Sequence, residues 1–447
     1  MKRFCKIFML VAFIAVFLPV AGHARPVSDP NYSTLYSFAS SNDGRGPQAQ
    51  PVLYGDYLYG TTYWGSAGKS SGIIYKIKKD GTGYTTLYTF DGVNGGGVYQ
   101  VLSVNGTYIY GAASQGGSYS DGVLFRVKMD GTGYQILRSL KKSKGGMDIG
   151  IHLVLDGSVL YGTAEEGGDE NCGTLFKLNT DGTNFTVLLN FKRSANGSHP
   201  IGGLIKSGSY LYGMANNGKT DGDGLVYKIK TDGTGFTVLH SFADSDGEGP
   251  LGTLVLSGDV LFGMTKTGGT YNVGVIFKVK TNGTGFSVLH HFKKEEKNGA
   301  EPWGTLVLSG TTLFGFTSEG GKWALGHIFN IQTDGTNYNG LYDFQPLDAN
   351  SPLYGAPVLS GTALYGAGSM GGVYGMGAIF KYVIAADDLP GDVNHDGVVD
   401  IKDWSAAKAI LGSRTGGAAY NANADLNSDG LIWWNDLTLL MQFIQSK

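Results

Sequence analysis

Between residues 32 and 382, short apolar runs bounded by glycine recur with a period of about 50 residues, four to each period. GTLVLSG from Gly252, DVLFGMT from Asp259 and GVIFKVK from Gly274 are three of them. The fourth follows an Asp-Gly turn, as FTVLHSF follows TDGTG at Thr231. Alternating polarity and a wealth of β-branched and aromatic residues mark these runs as strands. The first two are joined by little more than Ser257-Gly258, and the last two by Asp232-Gly233 and its equivalents, the strongest short hairpin signal. Each period predicts a four-stranded antiparallel meander, and helical periodicity begins only after Asp400.

The second run gives the count: YLYG at 57–60, YIYG at 108–111, VLYG at 159–162, YLYG at 210–213, VLFG at 260–263, TLFG at 312–315 and ALYG at 363–366 make seven units. Four-stranded units of this length predict an all-β fold, a seven-bladed β-propeller over residues 25–382. A linear solenoid would need polar capping repeats, and none stands at either end. The array also starts and stops in mid-phrase. NYSTLYSF at 31–38 has only the last strand of a unit, and the unit ending GAIFKYV at Val383 has only the first three. A ring closed by the N-terminal strand accounts for both ends, with Thr34–Phe38 paired to Ile379–Tyr382. In such a blade the two tight turns share one face. The long loops, such as ADSDGEGPL and MTKTGGTYNVG, share the other, where binding would sit.

Past a linker at 383–390 the pattern changes. GDVNHDGVVDIKD has the oxygen-ligand spacing of a calcium loop: Asp392, Asn394, Asp396, Asp400 and Asp403, the carbonyl of Val398, and Gly397 at the sharp turn. ADLNSDGLIWWND repeats it with Asp425, Asn427, Asp429, the carbonyl of Leu431, and Asp436. Trp433 holds the ninth position of that second loop and has no side-chain oxygen, so water would fill its place and the site would be the weaker of the two. Helix-compatible segments, WSAAKAILG and LTLLMQFIQ, follow the loops. Residues 391–447 are too few to bury much core, so two Ca2+ ions are expected to drive their folding.

Composition narrows the function classes. Abundant glycine (73) with 26 Tyr and 22 Phe fits many tight turns rather than disorder, and a net charge of −3 provides no basic footprint for nucleic acid. Residues 1–24 read as an export signal: Lys2, Arg3 and Lys6, an apolar run from Ile7 to Val20, then Gly22-His23-Ala24. That run is short for a membrane helix, so the mature chain is expected to be secreted, extracellular or at a cell surface, without a membrane span. Only Cys172 then remains, which excludes a disulfide framework and reads as a small buried filler.

The repeat phrase LYG…GG…G-x-[IL]-F-K-x-x-x-DGT-x-[FY]-x-x-L-x-x-F resembles the GloVer-type tandem repeat of exported bacterial proteins over Tyr32 to Tyr382. That resemblance implies a propeller-like repeat and brings no catalytic residues. The paired calcium loops resemble a type I dockerin over Asp392 to Phe443, with Trp433 as the one departure. This second resemblance implies calcium-dependent docking onto a cohesin module. It assigns partner selection to the tenth and eleventh loop positions, here Ile401-Lys402 and Trp434-Asn435, which differ between the halves.

On the ring, four long loops place an aromatic three residues before the glycine of the third strand: Tyr119, Tyr271, Trp323 and Tyr374. Trp64, Trp303 and Tyr354 lie on or near the same face. These rings would either stack on sugars or wedge between blades, and wedging is the commoner use of one aromatic per repeat. The acid pair Glu165/Glu166 could in principle serve glycoside cleavage, but neighbours on a strand point apart, which suits solvated charge better. His240 and His290 occupy equivalent repeat positions, which indicates a structural role. The expectation is a secreted, non-catalytic propeller that binds a glycan or protein and attaches through its dockerin. The alternative is a carbohydrate-active enzyme, a glycoside hydrolase or polysaccharide lyase.

Overall fold

A computed structural model describes residues 29–39, 43–65, 71–99, 101–142, 147–149, 153–218, 222–295, 297–352, 355–385, 393, 401–413, 415, 421–426, 432 and 434–445. The repeats form seven antiparallel sheets arranged as a β-propeller. Blade 5 is typical, with Val255–Ser257, Val260–Thr265, Val275–Lys280 and Ser287–His291 in order from the axis outward. Blade 3 adds a short strand, Met147–Ile149, paired to the extended end of its second strand, Val159–Glu166.

The seam closes as the truncated ends predict. Tyr32–Ser37 forms the outer strand of blade 7 and pairs with Ala378–Val383, with Tyr32 opposite Tyr382 and Ser37 opposite Ala378. Blade 7 therefore joins the first and last segments of the array, and no open sheet edge marks the join.

The repeat phrase follows from packing. The second and third strands of each blade are buried on both faces, so they read as nearly unbroken apolar runs. The glycine of LYG or LFG lies opposite the aromatic of the third strand, as Gly263 lies opposite Phe277. A β-carbon at Gly263 would fall 2.6 Å from Phe277 Cζ, so the ring takes the room of the missing side chain. In blade 5 the outer strand has a bulge between Ile276 and Phe277, opposite Leu289, and the bulge recurs at the same register in every blade.

That bulge joins neighbouring blades. The glycine of the next blade's Asp-Gly-Thr turn packs on the bulged leucine; a β-carbon at Gly131 would sit 2.4 Å from the Leu87 carbonyl oxygen. The residue after the leucine stacks on the aromatic that follows the same turn. Tyr36 meets Tyr84 (4.0 Å between centroids), Tyr88 meets Tyr134 (4.1 Å), His240 meets Phe286 (3.4 Å) and His290 meets Tyr338 (3.8 Å). Arg138 lies over Phe185 in the same relation. At the seam Tyr342 stacks on Tyr32 at 4.6 Å, so the N-terminal strand supplies both a ladder and an interblade stack.

His240 and His290 are thus structural, as their repeat positions imply. Burial in its stack pushes the His290 imidazole down to about 4, against the hydrogen bond its Nε2–H donates to Asn298 Oδ1, which acts the other way. A depressed folded-state value favours neutral histidine, so its contribution is present above pH 6.5 and is lost as pH falls from 6.5 towards 4. Thermal melts across that window are expected to show stability falling by on the order of 2 kcal/mol through this one group. A His290→Tyr variant, with the residue found at the equivalent Tyr88, should flatten the slope; an unchanged slope would refute the assignment.

Candidate functional site

The long loops lie on one face, as the strand order predicts. The loop entering each blade is bridged to the end of that blade's second strand, as in Arg45 with Trp64, Glu248 with Thr267 and Ala300 with Glu319. It is also bonded to the preceding blade: Gly46 N–H donates to Met376 O (2.8 Å) and Glu301 N–H to Val273 O (2.9 Å). The loop face is therefore stitched into a platform.

Tyr119, Tyr271, Trp323 and Tyr374 are exposed on this face, at 53%, 51%, 45% and 59%. They do not wedge between blades. Their loops are tied instead to the outer strand of the same blade: Ser118 N–H donates to Ser139 Oγ, Thr270 N–H to His291 Nδ1 and Val373 N–H to Ser37 Oγ. Each ring is thereby carried at the rim. Trp64 is half-buried against Gly46, where a β-carbon would come within 2.6 Å of it. Trp303 is half-buried and donates Nε1–H to Glu301 Oε2 at 3.4 Å.

Five of these six aromatics carry a cation. Arg45 lies 5.6 Å from the Trp64 ring, Lys141 5.0 Å from Tyr119, Lys266 4.1 Å from Trp303, Lys293 5.4 Å from Tyr271 and Lys322 5.6 Å from Trp323. Sequence reasoning found the rings and missed the cations. The signal was there in Lys141 and Lys293, which both follow the last apolar residue of the repeat phrase. Tyr354 lies outside the described residues.

Glu165 and Glu166 end the second strand of blade 3, and Glu166 is paired with Lys142 at 2.7 Å. Cys172 is half-buried against the core of blades 3 and 4.

In the C-terminal segment, helices Ile401–Ala409 and Trp434–Gln445 each hold the twelfth loop residue in their first turn, Asp403 and Asp436. Asp403 is wholly buried, Asp436 is 1% exposed and Asp425 7%. Asp403 Oδ1 accepts from the Val393 N–H (2.8 Å), and Asn421 Nδ2 donates to the Val393 carbonyl (2.9 Å). Gly412 and Ser413 exchange backbone bonds with Ile432, the eighth residue of the second loop, so the two halves interlock. Buried carboxylates at both loop ends are costly unless a cation or hydrogen bonds offset them, and an all-oxygen donor set fits calcium. The other predicted ligands, Asp392, Asn394, Asp396, Val398, Asp400, Asn427, Asp429 and Leu431, lie outside the described residues, as do Trp433 and residues 1–24. Ile401 and Lys402 are exposed at the start of the first helix, and Trp434-Asn435 open the second.

The Gloeobacter/Verrucomicrobia repeat matches residues 25–147, 98–307 and 274–406. The chain belongs to this repeat family. A Dockerin type I domain matches residues 390–445, so the repeat array ends in a calcium-binding, cohesin-docking module. None of the curated proteins matches the chain. Among solved structures, the propeller is similar to the extracellular domain of a one component system from B. thetaiotaomicron, at 13% identity and TM-score 0.51, covering 78% of this chain and 40% of that one. An oligogalacturonate lyase from Vibrio parahaemolyticus aligns at 12% identity and TM-score 0.46, covering 79% and 93%. The nidogen/laminin complex aligns at 14% identity and TM-score 0.42, covering 64% and 94%. These likenesses concern the fold. No helix among the described residues is long and apolar enough to cross a membrane.

Proposed function

We propose that this repeat protein is a secreted, non-catalytic binding module whose loop face holds a glycan and whose dockerin carries it to a cohesin-bearing partner. The observation that carries the reading is the set of exposed rim aromatics, Tyr119, Tyr271, Trp323 and Tyr374, held on a hydrogen-bonded platform. Exposed aromatic side chains are expensive to leave in water and suit the apolar faces of sugar rings. Trp64 extends the set. The division proposed is an export signal over 1–24, the ring over 25–382, a linker over 383–390 and a dockerin with two calcium sites over 391–447. Ile401, Lys402, Trp434 and Asn435 are proposed to face the cohesin.

A screen of plant and bacterial polysaccharides, reading binding and product release together, tests this function. Binding without new reducing ends or unsaturated products is expected, with Trp323→Ala and Tyr374→Ala weakening it. Product release that disappears in a Glu165→Gln or Glu166→Gln variant would favour the alternative, a glycoside hydrolase or lyase.

A further inference from the structure

Around the closed ring, blades 6, 7, 1 and 2 are consecutive, because the seam strand sets blade 7 beside blade 1. Each of these four blades presents an aromatic on the loop face, exposed in Trp323, Tyr374 and Tyr119 and half-buried in Trp64. Three of them carry a cation, Lys322, Arg45 and Lys141, and none of these cations is in an ion pair among the described residues. Where blade 5 meets blade 6, by contrast, three lysines are paired, Lys266 with Glu301 (3.9 Å), Lys293 with Glu295 (2.7 Å) and Lys294 with Glu319 (2.6 Å).

Of the acids near the arc, Glu301 and Glu319 of blade 6 are taken up by Lys266 and Lys294, and three others are turned to structural work. Asp43 accepts from Tyr36 Oη and the Ala39 N–H, Asp121 from the Lys142 N–H, and Asp348 from Tyr342 Oη and the Gln345 N–H. What faces outward is a curved row of aromatic rings with positive charge beside three of the four. On a chain whose net charge is −3, that is a local reversal.

We infer that this arc binds a linear anionic polysaccharide, whose sugar faces lie on the four rings while its carboxylate or sulfate groups meet Lys322, Arg45 and Lys141. The inference rests on the glycan-binding function proposed above and specifies its ligand class. A ring without a charged neighbour would serve a neutral sugar equally well. An ammonium or guanidinium with no carboxylate partner has its strongest complement in an anion. A row across four blades suits a polymer, since weak contacts linked along one chain act together.

The experiment uses the full chain in calcium and compares polygalacturonate, alginate and carrageenan with a neutral xylan and a neutral β-glucan by affinity electrophoresis and calorimetry. At least one anionic polymer should bind about tenfold or more tightly than either neutral one. Binding should weaken as salt rises from about 50 to 500 mM, across which screening shortens severalfold. The triple variant Arg45→Gln, Lys141→Gln, Lys322→Gln should lose that preference, while Lys280→Gln on the opposite face should keep it. Thermal melts establish that each variant is folded. Preference for carboxylated over sulfated polymers, or the reverse, identifies the anion and supports the arc in either case. Equal binding of neutral and anionic glycans, or binding untouched by the triple variant, overturns the inference and leaves the glycan-binding function standing. Equal binding of poly-glutamate would also overturn it, as a charge-only surface. No glycan bound at all would remove both.

Discussion

Removing residues 29–39 is expected to cost the ring most of its stability. The deleted strand supplies the ladder to Ala378–Val383, the Tyr32 stack on Tyr342 and the wholly buried Phe38. Tyr32 Oη also accepts from the Ala349 N–H at 2.9 Å, fixing the loop that enters blade 7. Truncating one buried aromatic typically costs about 3–5 kcal/mol, and native domains hold a margin of only about 5–15 kcal/mol. Phe38→Ala alone should therefore lower the denaturant midpoint clearly, and the deletion should give a chain that melts early or aggregates through the exposed edge of Ala378–Val383. A synthetic peptide of residues 29–39 added in trans should restore part of the lost stability, because it re-forms the outer strand. A deletion variant with the melting temperature of the full chain would show that the ring does not depend on its seam.

The same contacts explain why the fold was legible and much of the site was not. A propeller repeats one packing solution, so Gly263 beneath Phe277 and Leu289 at the bulge leave the same spacing in every copy. Seven readings of one phrase average out local noise. Closure was legible for a related reason, since a ring of like units shows its seam as two incomplete phrases. The loop face lacks that redundancy. Trp64 and Trp323 stand out as residues, but Arg45 comes from the loop entering blade 1, whereas Lys322 precedes its ring directly. Such pairs arise from where loops turn back, which alternation of polarity does not encode. Exposure was misjudged likewise: one aromatic per repeat reads as a wedge, yet bonds such as Thr270 N–H to His291 Nδ1 hold these loops out at the rim.

Calcium removal is expected to separate the two parts of the chain. Asp403, Asp425 and Asp436 are almost wholly buried in a segment with few buried apolar residues, Val393, Ala407, Ala424, Leu426, Ile432, Leu437 and Leu440, which share one cluster with Tyr382 and Ile384 at the end of the ring. Burying a carboxylate without a compensating cation costs several kcal/mol, so two loops of this kind are poorly stable without metal. Ligand binding stabilises the folded state by about 4 kcal/mol when free ligand exceeds Kd a thousandfold, comparable to the whole margin of so small a unit. Chelation of the full chain should therefore abolish the helical signal of 401–409 and 434–445 and with it cohesin binding, while the propeller, which shares only the apolar cluster around Tyr382 and Ile384 with this segment, keeps its strand signal and its own transition. Calorimetric titration should return two equivalents of calcium, the second weaker because Trp433 offers no side-chain oxygen. Asp403→Ala and Asp436→Ala should each remove one equivalent. A chain that keeps its helices and its cohesin affinity in excess chelator would overturn the assignment, because the buried acids would then be held by protein hydrogen bonds alone.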